Sequence, residues 1–169
     1  MRIIVSDSSI IIDLAKGELI EPALALPYEF VIPDALFENE LIDLGRYRKE
    51  DLPGLGLNVQ ELAPDELSRA IGYRSRYTAL TAQDCFALTI ARVTPNAMLL
   101  TGDQNLRRAA GTEVVEAHGL LWACEEMKRH QTVGVAHLHD ALCQFQEDPT
   151  VWLPKGPLRD LIRRVNSEL

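Results

Sequence analysis

Short apolar segments, each ending at a polar or acidic residue and followed by a helical pattern, recur along this chain. The clearest are RIIVSDSSIIIDLAK, which begins at Arg2 and contains Asp7, and AMLLTGDQNLRRAA, which begins at Ala97 and contains Asp103. Short strands that alternate with helices predict a central parallel sheet with helices on both faces, a three-layer α/β/α sandwich. Functional groups of such sheets collect at the carboxyl ends of the strands, and both aspartates lie just past such an end.

The remaining elements follow from hydrophobic periodicity and from turn residues. Strands are predicted at residues 2–6, 28–33, 57–62, 97–101 and 112–116. Helices are predicted between them at residues 9–16, 35–45, 64–80, 81–94 and 103–111. The helix after the second strand is expected to take Asp34 as its N-cap and to end at Gly45.

The last third of the sequence has a helical pattern of apolar residues throughout. Three helices are predicted there, at about residues 118–131, 134–148 and 157–169. Leu138, Leu142 and Phe145 recur at helical spacing, which indicates core packing more often than a partner groove. We therefore expect one domain over residues 1–169, with a core at about 1–116 and a C-terminal helical extension at about 117–169.

The composition and net charge exclude some classes of function. Hydrophobic residues make up 47% of the 169 residues, which is typical of a globular protein, and the net charge is −8 with a pI near 5.0. That charge argues against broad electrostatic binding to a long nucleic acid, but it allows an acidic pocket that holds cations. No apolar run reaches the ~20 residues of a membrane span, and MRIIVSD does not resemble a signal peptide. We expect a cytoplasmic protein without a membrane segment.

Four acidic residues each have an ordinary structural explanation. Asp7 and Asp103 could cap the helices that follow them, and Asp84 lies three residues after Thr81, the spacing of a capping box. Glu40 could be a solvated helix residue. For each of these residues taken alone, the structural explanation has better than even odds against a functional one.

Taken together, the same acids predict a metal site. Two of them follow separate strands, and two lie on helices whose faces can approach the same edge. Carboxylates this close repel one another and have raised pKa values unless a cation lies between them. Mg²⁺ or Mn²⁺ is the natural occupant because both prefer oxygen ligands. A pair of such ions ~4 Å apart can activate water and stabilise a phosphodiester displacement.

At the level of motifs, the chain resembles PIN domains, a class of metal-dependent nucleases that includes the toxins of VapBC-type toxin–antitoxin modules. Four segments carry the resemblance over residues 2–116: IIVSDSSIIIDLAK, VIPDALFENELID, LTAQDCFALTIA and MLLTGDQNLRRAA. The first and last together form a fairly specific pair, whereas each alone would be weak.

The resemblance implies a set of site residues. The acidic quartet that would serve as catalytic and metal-binding residues falls on Asp7, Glu40, Asp84 and Asp103. Ser9 and Thr101 match polar positions that orient the first aspartate and the metal. The second motif is ambiguous because Glu38 and Glu40 both lie near the family's position, and on a helix they would point about 200° apart. We choose Glu40 because Leu41 follows it and Phe37 precedes it by three residues.

The resemblance also implies an activity and partners. Such enzymes use Mg²⁺ or Mn²⁺ to direct water at phosphorus, they leave a 3′-hydroxyl, and they need no histidine base. The expected function is that of an endoribonuclease acting on RNA as the toxin of a toxin–antitoxin module, with a protein antitoxin and a homodimer as expected partners. Arg107 and Arg108, close after Asp103, could contact phosphate or form surface ion pairs.

Two other functions are compatible with parts of this pattern. A non-catalytic PIN-like binding or regulatory module would keep the fold without metal binding, although the presence of all four acids argues against it. A phosphatase with a nucleophilic aspartate would need a second aspartate two residues after Asp7. Ser9 occupies that position, which disfavours the phosphatase.

Overall fold

Five parallel strands form the centre of the protein. The computed structural model describes residues 1–169. Its sheet has the order β3-β2-β1-β4-β5, and all four pairings are parallel. The strands are β1 (Arg2–Ser6), β2 (Tyr28–Pro33), β3 (Leu57–Gln60), β4 (Ala97–Leu100) and β5 (Ala117–His118). The predicted three-layer α/β/α fold is confirmed, and the carboxyl ends of all five strands lie along one edge.

Ten α-helices connect and cover the strands. They are α1 (Ser8–Lys16), α2 (Ile20–Leu24), α3 (Asp34–Asn39), α4 (Leu52–Leu55), α5 (Pro64–Arg76), α6 (Ala82–Val93), α7 (Gln104–Thr112), α8 (Leu120–Arg129), α9 (Val135–Glu147) and α10 (Lys155–Asn166). Helices α2 and α4 were not predicted, because Pro22 and the Pro53–Gly54 pair favour turns in the sequence pattern. Proline is nevertheless tolerated in the first turn of a helix, where its missing N–H has no partner to lose.

The central position of β1 explains its continuous apolar run. Ile4 pairs with Phe30 of β2 on one side and with Met98 of β4 on the other. Ile4 and Val5 are completely buried because helices cover both faces of the sheet. The strand therefore holds whatever follows it at the middle of the sheet edge.

The C-terminal helices share one apolar core with the sheet. Forty-six buried residues form a single cluster, which includes Met127, Leu138, Leu142 and Phe145. The core packing predicted for the last three from their spacing is confirmed. No helix is long and apolar enough to cross a membrane.

Helix α3 is shorter than predicted, and the expected end at Gly45 is wrong. The helix stops at Asn39, and Asp34 is its first residue, with Pro33 in the N-cap position. The Nζ atom of Lys49 donates hydrogen bonds to the carbonyl oxygens of Phe37, at 3.5 Å, and Glu38, at 3.1 Å. A side chain from a short 3-10 helix (Lys49–Asp51) thus satisfies carbonyls that a continuing helix would have used.

The predicted strand at residues 112–116 is also wrong. Helix α7 continues through Gly111 to Thr112, and Val114 lies in the left-handed region at φ 59° with 89% of its surface exposed. The backbone N–H of Val115 donates to the carbonyl oxygen of Ala110 at 2.8 Å, a bond typical of a helix C-terminus. The last strand begins only at Ala117, because this helix ending occupies the segment before it.

Candidate active site

Asp7 lies at the end of the central strand and is buried, with 7% of its surface exposed. It occupies the N-cap position of α1, but its side chain makes no capping hydrogen bond. Instead, its Oδ2 atom accepts hydrogen bonds from the hydroxyls of Thr101, at 2.8 Å, and Ser9, at 3.2 Å. The carboxylate is therefore oriented by hydroxyl groups, and its capping explanation is wrong.

Thr101 connects the acids that follow β1 and β4. Its side chain is completely buried, and its hydroxyl also accepts a hydrogen bond from the backbone N–H of Asp103 at 3.1 Å. Asp103 caps α7, since its Oδ1 atom accepts a 2.9 Å hydrogen bond from the N–H of Leu106. Its Oδ2 atom accepts no hydrogen bond from the protein. Capping thus occupies only one oxygen of Asp103.

Glu40 reaches the same edge from the end of α3. Its Oε1 atom accepts a 2.7 Å hydrogen bond from the hydroxyl of Ser8, and that hydroxyl lies 3.4 Å from Oδ1 of Asp7. Glu38 lies elsewhere, because its side chain is 66% exposed and pairs with Lys49 at 3.7 Å. Of the two glutamates that the sequence left in competition, the structure brings Glu40 toward Asp7.

Asp84 lies in the first turn of α6, within a capping box. Its Oδ2 atom accepts a 2.9 Å hydrogen bond from the N–H of Thr81, whose hydroxyl accepts one from the N–H of Asp84 at 3.1 Å. The capping box predicted from the spacing of these residues is confirmed. The Oδ1 atom of Asp84 has no hydrogen-bond partner, so capping again leaves one carboxylate oxygen available.

The electrostatics connect the four carboxylates. Burial raises the pKa of Asp7 to about 6; the hydrogen bond from Thr101 opposes this rise, and the charges of Asp84 and then Glu40 add to it. Burial also raises the pKa of Asp84, and the charge of Asp103 adds to that shift. No lysine, arginine or histidine nitrogen lies within 4 Å of any of the four carboxylates. The negative charge at this edge is therefore uncompensated by the protein.

The chemistry of these side chains fits a hard divalent cation, although they are not close enough together to coordinate one. No three histidine, cysteine, aspartate or glutamate side chains lie close enough together to hold a metal ion. Asp84, Asp103 and Glu40 each keep one carboxylate oxygen without a hydrogen bond. Oxygen donors of this kind suit Mg²⁺ or Mn²⁺, and a cation would offset the repulsion between them. Binding would require the side chains to turn toward one another.

A comparison with protein families decides where this arrangement belongs. Residues 3–167 match the model of a family described as a PIN domain. The chain is a PIN domain. The match extends through α8, α9 and α10, beyond the segments that carried the motif resemblance. No curated protein sequence matches this chain significantly.

PIN domains are generally nucleases, and this PIN domain has a nuclease-type fold. Its four motif acids come from four separate segments: the loop after β1, the end of α3, the start of α6 and the loop after β4. The parallel sheet places the first and last at neighbouring strand ends, and Ser8 and Thr101 connect neighbouring members by hydrogen bonds.

Ser8 is the contributor to this site that the sequence analysis missed. It is buried, with 7% exposure, and its hydroxyl is the only hydrogen-bond donor to the carboxylate of Glu40. The sequence signal was the pair of serines after Asp7, of which only Ser9 matched a family position. Which of two adjacent hydroxyls turns toward a distant glutamate depends on where α3 ends.

The histidine side chains of this PIN domain have partners other than the four motif acids. His137 contacts the carbonyl oxygen of Gly17 at 3.0 Å, and His118 stacks on Trp122 with ring centroids 4.3 Å apart. His130 lies beside Glu126, and His139 beside Cys143. None of them forms a hydrogen bond or an ion pair with Asp7, Glu40, Asp84 or Asp103.

Proposed function

We propose that this PIN domain is a Mg²⁺- or Mn²⁺-dependent endoribonuclease and that it is the toxin of a toxin–antitoxin module. One observation carries the proposal. Asp7 is a buried carboxylate beside other carboxylates, its pKa is raised to about 6, and no cationic side chain lies within 4 Å of it. Such an arrangement is costly for a fold and is typical of a functional site.

In the proposed site, Asp7, Glu40, Asp84 and Asp103 would hold the cation. When bound, a divalent cation lowers the pKa of water and stabilises the charge that develops on a phosphodiester. Thr101 and Ser9 fix Oδ2 of Asp7, and Ser8 orients Glu40. Hydroxyl partners of this kind typically hold ligands in the geometry that a metal requires.

The proposed RNA substrate and toxin role rest on the motif likeness to VapC-type toxins. A protein antitoxin and a homodimer belong to the same proposal. A neighbouring open reading frame that encodes a small DNA-binding-type protein would support it, and co-expression of that protein should relieve any growth arrest that this chain causes. Failure of such a partner to bind the purified chain would remove the toxin–antitoxin part and leave the nuclease part standing.

The direct test is RNA cleavage by the purified protein in the presence of Mn²⁺. The double substitution Asp7→Asn with Asp103→Asn should reduce the rate by more than about 100-fold, because it removes two of the carboxylates that hold the cation. A matched control is Asp140→Asn with Asp160→Asn, two exposed acids on α9 and α10 that change the net charge equally. An undiminished rate in the first double variant would overturn the proposal.

A non-catalytic PIN-like binding module is the second candidate. The absence of three acids already placed to hold a metal favours it. Calorimetric titration with Mn²⁺ separates the two functions, since the nuclease proposal predicts binding that Asp7→Asn weakens. A wild-type protein that gives no binding heat and cleaves no RNA would support the second candidate.

A further inference from the structure

A groove runs beside the acidic edge on the side of β4 and α7. It has a volume of about 420 Å³, which falls within the range of small-ligand sites. Its walls come from five parts of the chain: α1, the turn after β4, α7, the start of α8 with the residue before it, and the segment between α9 and α10. Gly102 and Gln104, the two neighbours of Asp103 in the chain, are among its lining residues. The groove therefore adjoins the chain segment that carries Asp103.

Arg107 lines this groove and has no partner within the protein. Its side chain is half-buried and forms no ion pair and no hydrogen bond. A Cβ atom placed on Gly119 would lie 3.6 Å from Nη2 of Arg107 and 3.5 Å from the carbonyl oxygen of Thr101. The guanidinium of Arg107 and the carbonyl oxygen of Thr101 therefore both border Gly119. An unpaired guanidinium in a groove is suited to phosphate, which it can bind through two parallel hydrogen bonds.

Trp152 lines the same groove from the segment that connects α9 to α10. It is the largest exposed apolar side chain of the protein, with 65% of its surface accessible. The segment is anchored, since the preceding residue, Val151, is buried, and its N–H donates to the carbonyl oxygen of Asp148 at 3.2 Å. An exposed indole on an anchored segment at the wall of a groove is suited to stacking on a nucleobase.

The lining of the groove contains one cationic residue, Arg107, and one acidic residue, Asp13. Asp13, an acid in its lining, pairs with Lys16 at 3.5 Å, so its charge is partly offset. Arg107 is the only cationic residue among the lining residues. Because the whole chain has a net charge of −8, attraction for a polyanion has to come from such local cations.

We propose that this groove binds one nucleotide of single-stranded RNA next to the phosphodiester at the acidic edge. Arg107 contacts its phosphate, and Trp152 stacks on its base. This inference rests on the proposed ribonuclease function, which supplies the adjacent site. Duplex RNA should bind poorly, because its bases are already stacked and cannot reach the indole.

The test measures binding of a labelled single-stranded RNA by fluorescence anisotropy. The Asp7→Asn/Asp103→Asn protein serves as the background, so that the RNA is not cut. In that background, Trp152→Ala and Arg107→Ala should each weaken binding about tenfold. Trp152→Phe should retain the affinity, because phenylalanine still stacks. Ile71→Ala and Arg92→Ala are the matched controls: they remove an exposed apolar side chain and an exposed arginine away from the groove.

Tryptophan fluorescence gives a second readout that a purely structural role would not produce. RNA should quench the emission of the background protein, and Trp152→Phe should lose most of that quenching while the affinity persists. Unchanged affinity in both the Trp152→Ala and Arg107→Ala proteins would overturn the inference, as would equal binding of duplex RNA or no binding of RNA at all.

The outcomes also separate this inference from the proposed function. If wild-type protein cleaves RNA while the groove variants bind normally, the groove assignment fails and the nuclease stands. If the groove variants lose binding while wild-type protein never cleaves RNA with Mn²⁺, the groove stands and the nuclease fails.

Discussion

The hydroxyl of Thr101 donates a 2.8 Å hydrogen bond to Oδ2 of Asp7, although the two residues are 94 positions apart in the chain. The bond is possible because β1 and β4 are neighbours in register, so that Ser6 lies beside Leu100 at the end of the ladder. The same hydroxyl accepts a hydrogen bond from the N–H of Asp103. One buried threonine therefore fixes the relative positions of two proposed ligands.

Replacement of Thr101 by valine tests this connection. The hydrogen bond from Thr101 holds the pKa of Asp7 down, so its loss should raise that pKa further. The acid limb of the pH profile for RNA cleavage should then move to higher pH by up to about one unit, with an activity loss of about tenfold at neutral pH. Thr101→Ser keeps the hydroxyl and should keep the wild-type profile. An unshifted profile in Thr101→Val would contradict the positioning role.

The two neighbouring glutamates provide a matched pair. Glu40→Gln should reduce cleavage by about 10- to 100-fold, because it removes a charge from the proposed site. Glu38→Gln makes the same chemical change on an exposed side chain that pairs with Lys49, and it should leave the rate unchanged. The RNA cleavage rates of the two variants are compared by steady-state kinetics at a saturating concentration of Mn²⁺. Equal losses in both variants would show that Glu40 has no special role.

The burial of Asp7 predicts a pH-dependent stability in metal-free protein. Its folded pKa of about 6 lies above its ordinary value, so the folded state favours the protonated carboxyl. The resulting stability is fully present below the ordinary pKa of aspartate and is lost as the pH rises through about 6. The free energy of unfolding of Asp7→Asn, measured by urea titration, should therefore exceed that of wild type at pH 8 by on the order of 2 kcal/mol. Near pH 4 the two proteins should be equally stable.

Bound metal should reverse the difference in stability between Asp7→Asn and wild-type protein. Added Mn²⁺ should stabilise wild-type protein at pH 8 and have little effect on Asp7→Asn, because only a state that binds the ion is stabilised by it. Urea titrations in EDTA and in Mn²⁺ provide the comparison. A metal-free Asp7→Asn protein that is less stable than wild type at pH 8 would show that the carboxylate stabilises the fold.

The packing of α9 on the end of α1 gives a prediction independent of catalysis. A Cβ atom on Gly17 would lie 2.8 Å from Cζ of Phe145 and 3.1 Å from Cβ of Ala141. Gly17→Ala should cost about 1–3 kcal/mol by overpacking, since the ring of Phe145 is buried against this position and would have to shift. Adding Phe145→Leu should recover part of that loss. Gly72→Ala, where nothing lies within 4 Å, should be neutral or stabilising in the same denaturation experiment.

Hydrophobic patterning was sufficient to predict the central strands and their parallel pairing. The positions of β1, β2 and β4 follow from their apolar runs, and the alternation with helices predicts parallel pairing. The errors lie where other contacts decide the structure. The side chain of Lys49, ten residues beyond Asn39, satisfies carbonyls at the end of α3, and the helix ending around Val114 delays β5 to Ala117.

The candidate site, too, was predicted where local sequence patterns determine it and missed where more distant contacts do. Asp7 and Asp103 could be located from sequence because each follows an apolar strand. The choice between Glu38 and Glu40 could not be made from helical geometry, since Glu40 lies just beyond the end of α3. Ser8 was missed because its role depends on that ending. Capping also leaves Asp84 and Asp103 available for the proposed site, because each caps a helix with a single oxygen.

The proposed function requires these carboxylates to converge on one divalent cation. Anomalous diffraction from a crystal of the protein grown with Mn²⁺ would locate that ion. We expect a manganese peak at the carboxyl edge of the sheet, in contact with Asp7 and Asp103, with Asp84 and Glu40 facing it. Manganese bound elsewhere, or an acidic edge without manganese in a protein that cleaves RNA, would overturn the metal site.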